Sequence, residues 1–370
     1  KQATVIAMLQ HPDGTTVQYS TDGAGALMAL DALSPDGDVS ANYLRDYNRR
    51  TAGIAFSNGV LQTRSYDAAG NVSAQSVQHL ATVLAGDTYT YDANGNRLTQ
   101  RTTGAGRSVS NAYAYDADGR VVGFASSSTA VAAVSAAPST SPAATGSGTG
   151  NGKPTLPGPA SLNLPTPQPG GAPTGDIAAA PADWTYDEVG NRTSDGATSS
   201  TYGAGDTIAK QPGTTWTYDD SGAVTRLAGP TGTRSFTYDA AARLVCVDIM
   251  VGGDDVTIEY AYDGDGNRIE RTADDVTTTY TWDPMRDIPL LVIERDSDGA
   301  VQRRYFHGEG TVAMQTPAHT YYCHLDPLGS TNQVTDERGK VVAAFSYDAS
   351  GNLLTKTITD TALNTSRTWS

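Results

Sequence analysis

Aromatic residues alternate with small polar residues in short segments that recur along the chain, and a turn sequence follows each segment. In residues 88–98, Tyr89 and Tyr91 are separated by a single residue. This spacing places both rings on one face of a β-strand. Asp92 can then accept backbone N–H groups of the turn, and Gly95 supplies the positive φ that a short hairpin with a bulge requires. We therefore predict a β-hairpin with the pattern aromatic-x-Tyr-Asp-x-x-Gly-(Asn)-Arg-apolar.

Near-copies of this hairpin recur, mostly 20 to 25 residues apart. Trp282-Asp283 is a variant, and the Tyr238 copy has Ala242 where the others have Gly. The predicted repeat residues are Tyr66, Asp67, Gly70, Tyr91, Asp92, Gly95, Tyr115, Asp116, Gly119, Tyr186, Asp187, Gly190, Tyr218, Asp219, Gly222, Tyr238, Asp239, Tyr262, Asp263, Gly266, Tyr347, Asp348 and Gly351. An isolated hairpin is only marginally stable, so these units must pair edge to edge. The predicted fold is all-β, with repeated antiparallel hairpins in one long, curving sheet.

Composition divides the chain further. Residues 125–182 hold ten of the eighteen Pro and no aromatic residue, which predicts a flexible or polyproline II insert rich in Pro, Ala, Gly and Ser. This insert is either a functional tether or a neutral insertion, and we favour the latter because loops tolerate insertion. The predicted segments are 1–64 (diverged hairpins), 65–124 (repeats), 125–182 (insert), 183–290 (repeats), 291–354 (a distinct closing segment) and 355–370 (tail).

Charge excludes one class of partner. The chain has 25 basic and 40 acidic residues, a net charge of −15, so it repels phosphate backbones and nucleic acid is not an expected partner. Nineteen Tyr against five Phe favours half-buried positions in which the ring packs and the hydroxyl stays in water. No apolar run is long enough to span a membrane. The first residue is Lys and no signal segment follows it, so we interpret the chain as a processed product or a fragment.

Candidate chemistry is weak. Asp263, Asp265 and Asn267 place oxygens at positions 1, 3 and 5 of a loop, with Asp274 at position 12, which is a possible calcium site. Arg268 stands where an EF-hand needs Gly, so turn capping is the preferred role. His319, Cys323 and His324 could be imagined as metal ligands, but neighbours on a strand point to opposite faces. Two Cys cannot form a disulfide framework, although one bridge is not excluded. We expect no cofactor and no enzyme activity.

The repeats resemble the YD repeats of rearrangement-hotspot (Rhs) proteins, toxin-complex shell proteins and teneurins. Residues 321–354 are similar to the Rhs-associated core that closes such arrays, although Pro327 stands where the family usually has His, so no role is carried over to that position. The residues that carry this second resemblance are Tyr321, Tyr322, Asp326, Leu328, Gly329, Ser330, Asp336 and Gly339.

The resemblance implies a sheet that spirals into a hollow bacterial shell, which encloses a C-terminal toxin and releases it by self-cleavage. The toxin cargo, secretion-apparatus components and further YD-repeat strands of the same protein are then the expected partners, and a secreted or cell-surface location is implied. The cleavage motif and the toxin lie beyond the core in the family, and nothing after Leu354 matches either. The alternative is an adhesion or glycan-binding module that uses exposed Tyr and Trp stripes.

Overall fold

The described part of the chain is built almost entirely of β-strands. The computed structural model describes residues 5–104, 106–130, 183–251, 254–285, 287–360 and 363. This part contains 29 strands, each paired antiparallel with one or both of its neighbours in sequence, and one short 3-10 helix at Ala204–Asp206. The all-β prediction is confirmed. In the described residues no helix is long and apolar enough to cross a membrane.

Eleven consecutive strands form the first sheet. They are β1 (Val5–Gln10), β2 (Thr16–Thr21), β3 (Leu27–Leu33), β4 (Val39–Arg45), β5 (Thr51–Phe56), β6 (Val60–Tyr66), β7 (Val72–His79), β8 (Thr82–Tyr91), β9 (Arg97–Gly104), β10 (Arg107–Tyr115) and β11 (Val121–Ala130). The described parts of 1–64 and 65–124, predicted as separate segments, therefore share one sheet, and the predicted boundary between them falls inside β6.

Two small sheets and one large sheet follow. The small sheets pair β12 (Trp184–Tyr186) with β13 (Arg192–Asp195) and β14 (Thr201–Tyr202) with β15 (Ile208–Lys210). The second large sheet has fourteen strands: β16 (Thr215–Tyr218), β17 (Val224–Gly229), β18 (Gly232–Tyr238), β19 (Leu244–Val251), β20 (Asp254–Tyr262), β21 (Arg268–Ala273), β22 (Val276–Asp283), β23 (Leu290–Arg295), β24 (Val301–Gly308), β25 (Gly310–Gln315), β26 (Thr320–Leu325), β27 (Thr331–Thr335), β28 (Val341–Tyr347) and β29 (Leu353–Ile358).

Three further predicted boundaries fall within strands, and the one between residues 290 and 291 lies inside β23. The predicted insert, residues 125–182, begins inside β11, and residues 131–182 lie outside the described part of the chain. The predicted tail, residues 355–370, begins inside β29, so its first four residues belong to the second sheet.

A β-bulge accompanies each repeat. Thr90 pairs with Thr99, but Tyr91 pairs with Arg97, so Leu98 is the extra residue on the outgoing strand. The same shift falls directly before Tyr115, Tyr218, Tyr238, Tyr262 and Tyr347. A bulge increases the local twist of a sheet, and its repetition gives a ribbon that twists strongly at every hairpin.

The two large sheets pack against each other, and the main apolar cluster lies between them. The first sheet contributes alternate residues such as Leu30, Ala41 and Phe56, whereas the second contributes Phe306 and Tyr322. Alternation along a strand explains this, because residues two apart share a face. We call this contact the seam.

Candidate functional site

The turn of each repeat is closed by its Asp. Asp92 N donates to Asn96 O and Gly95 N donates to Asp92 O, at 2.9 and 3.2 Å. The Asp92 carboxylate accepts N–H groups of Asn94 and Asn96 through Oδ1 and the Asn96 amide through Oδ2. Oδ1 of Asp67, Asp116, Asp187, Asp219, Asp239, Asp263 and Asp348 likewise accepts the backbone N–H four residues on. These hydrogen bonds favour the carboxylate and lower the pKa of Asp92.

The repeat Gly residues have the backbone that this turn needs. Gly95 has φ +86° and Gly266 has φ +89°, values that favour glycine. Positive φ is also found at Gly70, Gly119, Gly190, Gly222 and Gly351. Ala242 takes the same position in the Tyr238 repeat with φ +59°, so this repeat keeps the turn at a cost in backbone strain.

The hydroxyl of each repeat Tyr joins one hairpin to the preceding one. Tyr91 donates to the Val72 carbonyl at 2.8 Å, and Val72 is the first residue of β7. The same bond to the first residue of an earlier strand is made by Tyr66, Tyr115, Tyr186, Tyr218, Tyr238, Tyr262 and Tyr347. The residues are half-buried as expected, but the sequence did not predict that each hydroxyl satisfies a carbonyl at a bulged strand end. Phe lacks the donor, which explains the excess of Tyr.

Sequence reasoning missed several copies of the turn. Asp22, Asp46, Asp296, Asp326 and Asp336 make the same backbone bonds without a preceding Tyr. His11 begins a similar turn. The available signal was Asp-x-x-Gly, which four of these Asp residues show; Asp46 instead has Arg49 at φ +66°. In place of Tyr, Trp282 uses its Nε1 on Arg268 O and His307 uses Nε2 on Leu291 O.

The calcium candidate does not form a site. Asp263 uses both carboxylate oxygens within its own turn, and Asp265 N is one of the donors. Asp274 lies at the opposite end of β21, in the turn to β22, so it cannot complete a loop with Asp263 and Asn267. Across the described residues, no three His, Cys, Asp or Glu side chains form a group that could hold a metal ion.

The His and Cys side chains of the closing segment also lie in different surroundings and are not brought together in one site. His324 is fully buried in the seam, where Nε2 lies 2.9 Å from Thr335 Oγ1 and the ring meets Phe56 edge-on. Burial lowers the pKa of His324 to about 3, so its ring is neutral at pH 7. His319 instead faces Glu337 at 3.6 Å near the surface. Cys323 is buried and Cys246 is partly exposed, and both are free thiols.

Several of the core-like residues lie at the seam. Asp326 Oδ1 accepts the N–H groups of Leu328 and Ser330, Gly329 has φ +89°, and Leu328 is exposed. Tyr322 shares a hydrogen bond with Ser57 at 2.8 Å. Asp336 begins a turn, and its backbone carbonyl accepts a hydrogen bond from the side-chain amide of Asn58. Gly339 of the same turn lies against the His79 ring. Tyr321 points to the other face of β26.

Three side chains of the first sheet converge on one carbonyl of the second sheet. Leu325 O accepts from Gln62 Nε2 at 2.8 Å, from Gln75 Nε2 at 3.0 Å and from an Arg64 N–H at 3.3 Å. Leu325 takes the place of the repeat Tyr in its hairpin, and the bulge there leaves its carbonyl free for bonds between sheets. The seam is therefore fixed by directional bonds as well as by apolar contact.

A buried polar cluster completes the seam. Asp87 is 2% exposed and accepts from Thr102 at 2.6 Å and from the Asn332 amide at 3.2 Å. Arg97 is 9% exposed, lies 4.0 Å from Asp326 and stacks on the Tyr89 ring. Burial, together with the nearby Asp326 charge, raises the pKa of Asp87 to about 6. Such buried polar groups favour one alignment of the two sheets, because any other alignment would leave a buried polar group without a hydrogen-bond partner.

A second ionic contact fixes the other end of the seam. Arg304 of β24 bonds to Asp13 and Asp36, which lie in turns of the first sheet. Arg45 pairs with Glu309 at 2.6 Å, and Thr51 donates to the same carboxylate. The contacts between sheets thus run from the first hairpins to β9 on one side and from β24 to β27 on the other.

Several aromatic rings outside the seam are covered by arginines of the repeats. Arg268 lies 5.1 Å from the Tyr260 centroid and 5.3 Å from that of Tyr280. Arg192 covers the ring of Trp184 at 4.9 Å. A ring face stacked by guanidinium is not free for a sugar, so this geometry does not favour a glycan platform.

Known proteins share this repeat. The chain is 32% identical over 178 residues to the tRNA nuclease WapA of Bacillus subtilis (strain 168), which covers 46% of this chain and 7% of that protein. It is 26% identical over 200 residues to double-stranded DNA deaminase toxin A of Burkholderia cenocepacia (strain H111), covering 46% of this chain and 14% of the toxin. The chain thus spans a small part of these relatives.

Solved structures share the fold. A chain in the crystal structure of TcdB2-TccC3 superposes with a TM-score of 0.57 at 15% identity, covering 95% of this chain and 18% of that chain. The TcdB2-TccC3-TEV crystal structure gives a TM-score of 0.55 at 13% identity, with coverages of 97% and 18%. Residues 175–364, just over half of the chain, match the family described as teneurin YD-shell. The resemblance expected from the repeats is confirmed, and the chain belongs to the teneurin YD-shell family.

Proposed function

We propose that this chain is a wall segment of an Rhs-type shell that encloses a C-terminal toxin cargo and takes part in its delivery. The observation that carries the proposal is the seam: the closing segment lies on one face of the first sheet and is fixed there by the Leu325 carbonyl and by Asp326. A wall built in two layers restricts access to whatever it surrounds.

The relatives support a toxin as the cargo. The printed names of two of them are a tRNA nuclease and a DNA deaminase toxin, and the chain matches only a small share of each. We infer that the activity of such proteins lies outside the shared wall. The wall itself then needs no catalytic residue and no cofactor, and its partners are the cargo, further strands of the same shell and components of an export apparatus. Its place is outside the producing bacterium, as a secreted or cell-surface protein.

The experiment is limited proteolysis of the complete gene product that contains this chain. The part that follows the wall is expected to resist proteinase K under native conditions and to become sensitive once the seam is broken by Gln62→Ala with Gln75→Ala. Gln78→Ala on the same strand β7 is the control, because Gln78 is only partly buried and takes no part in the Leu325 contact. A native product whose C-terminal part is digested as fast as the free fragment would contradict an enclosing role.

A glycan-binding module remains the alternative from the sequence. The arginine-covered rings give no specific support for it.

A further inference from the structure

Asp360 and Leu363, which follow β29, contact the second sheet on the face opposite to the seam. Tyr322 faces the first sheet through its contact with Ser57. Its neighbour Tyr321 must point the other way, and its hydroxyl donates to Asp360 at 3.1 Å. Asp360 follows β29 by two residues, so the chain turns onto the far face directly after its last strand.

Three residues hold this crossing. Thr359 donates to the Val342 carbonyl through its N–H at 2.9 Å and through its hydroxyl at 3.3 Å. Asp360 receives the Tyr321 hydroxyl. Leu363 is 2% exposed in a second apolar cluster, whose other buried members are Met314, Tyr321, Val334, Val342, Ala343 and Phe345. We call Thr359, Asp360 and Leu363 the exit anchor.

The burial of Leu363 contrasts with that of the nearest leucines. Leu353 and Leu354, on the edge strand β29, are 45% and 43% exposed. An edge strand with exposed leucines gives the following chain no preferred side, whereas a buried leucine contact on one face does. Burial and the Asp360 carboxylate raise the pKa of Tyr321 well above its usual value, so its hydroxyl keeps the proton that it donates in this bond at neutral pH.

We propose that the exit anchor commits the polypeptide after Leu363 to the far face of the second sheet, and so decides on which side of the wall the following chain begins. This inference rests on the proposed function, since it identifies the point where cargo leaves the wall. The second sheet thus binds the continuation of its own chain, through the aliphatic side chain of Leu363 and the carboxylate of Asp360.

The experiment uses the full chain extended after Ser370 by a short reporter that carries a photo-crosslinking residue. Hydrogen exchange of residues 357–363 and the sites of crosslinking are measured by mass spectrometry. With the native anchor, exchange is slow and crosslinks fall on the face that carries Tyr305 and Tyr347. Leu363→Asp is expected to accelerate that exchange by roughly thirtyfold, as expected for a lost leucine burial, and to abolish those crosslinks.

Two further variants serve as controls. Leu354→Asp adds the same charge to an exposed leucine and is expected to leave exchange and crosslinks unchanged. Leu363→Ala removes contacts without burying a charge and is expected to act in the same direction as Leu363→Asp, more weakly. Unchanged crosslinks in Leu363→Asp, or equal effects of both Asp variants, would overturn the anchor. A reporter that crosslinks to the far face but is fully digested by protease would leave the anchor standing and contradict enclosure.

Discussion

The hairpins of Tyr91 and Tyr262 have nearly the same sequence but lie in different surroundings. Both Asp residues cap their turns in the same way, with an Asn amide on Oδ2. Both Tyr hydroxyls reach the first residue of a preceding strand, at 2.8 Å to Val72 and 2.7 Å to Leu244. Local sequence is therefore sufficient for the hairpin and for its link to the previous one.

The two hairpins differ in what covers them. Arg97, under the seam, is 9% exposed and lies beside Asp326 of the other sheet. Its counterpart Arg268 is exposed and lies between the rings of Tyr260 and Tyr280. The same residue type thus serves as a buried ion in one copy and as a surface stack in the other. The repeat builds a ribbon, and the contact between sheets gives one part of that ribbon a new role.

The largest expected difference between the copies is the cost of removing the arginine. Arg97→Ala is expected to lower the free energy of unfolding by roughly 3 to 5 kcal/mol, because it leaves Asp326 as a buried charge without its cation. Arg268→Ala removes only a solvated stack and is expected to cost less than about 1 kcal/mol. Urea unfolding of both variants measures this. Equal losses would show that the seam does not bury Arg97.

The pH dependence of Asp87 tests the seam in a second way. Its folded pKa of about 6 lies above the ordinary value of 3.8, so the folded state holds this proton more tightly than the unfolded chain. That stabilisation is full below pH 3.8 and is lost as the pH rises through 6. Relative to Asp87→Asn, wild-type stability should fall by about 3 kcal/mol across this window. Chemical unfolding at several pH values measures it, and parallel curves for the two proteins would refute a buried Asp87.

The Tyr links should not distinguish the two hairpins. Tyr91→Phe and Tyr262→Phe each remove one hydrogen bond to a backbone carbonyl and are expected to cost about 1 kcal/mol apiece. Thermal or urea unfolding of the pair measures this. A loss confined to Tyr91→Phe would mean that the link depends on the seam and is not a property of the repeat.

The smallest expected effect concerns the turn residue. Ala242 adopts the positive φ that Gly266 adopts in the next repeat. Ala242→Gly removes that backbone strain but raises the conformational entropy of the unfolded chain. The free energy of unfolding is therefore expected to increase by only about 0.5 kcal/mol. Gly266→Ala is the reciprocal change and should cost a similar amount. If Ala242→Gly is destabilising, the position does not need glycine's freedom.

Much of the hairpin could be read from its residues. The spacing of Tyr89 and Tyr91 indicated a strand, Asp92 indicated a capped turn, and the copies indicated edge-to-edge pairing. The prediction of one long sheet was wrong for the described residues, whose strands form two large and two small sheets. The partner of the Tyr hydroxyl could not be read, because its carbonyl lies between 10 and 65 residues earlier, at the first residue of another strand. The turns at Asp296 and Asp326 lacked the Tyr signal although their geometry is the same.

Sequence by itself determined the all-β class, the antiparallel hairpins and their order, because these follow from periods and turn residues within about ten positions. Tertiary structure alone decided which face of which hairpin is covered. Asp87 and Ile258 hold equivalent positions, each two residues before the first aromatic of its repeat, yet the carboxyl is 2% exposed and the isoleucine is only partly buried. Hydrophobicity alone would predict that Ile258 is the more buried of the two side chains and Asp87 the more exposed. The contact between the sheets reverses it, because Thr102 of the first sheet and Asn332 of the second supply the hydrogen bonds that make a buried Asp tolerable.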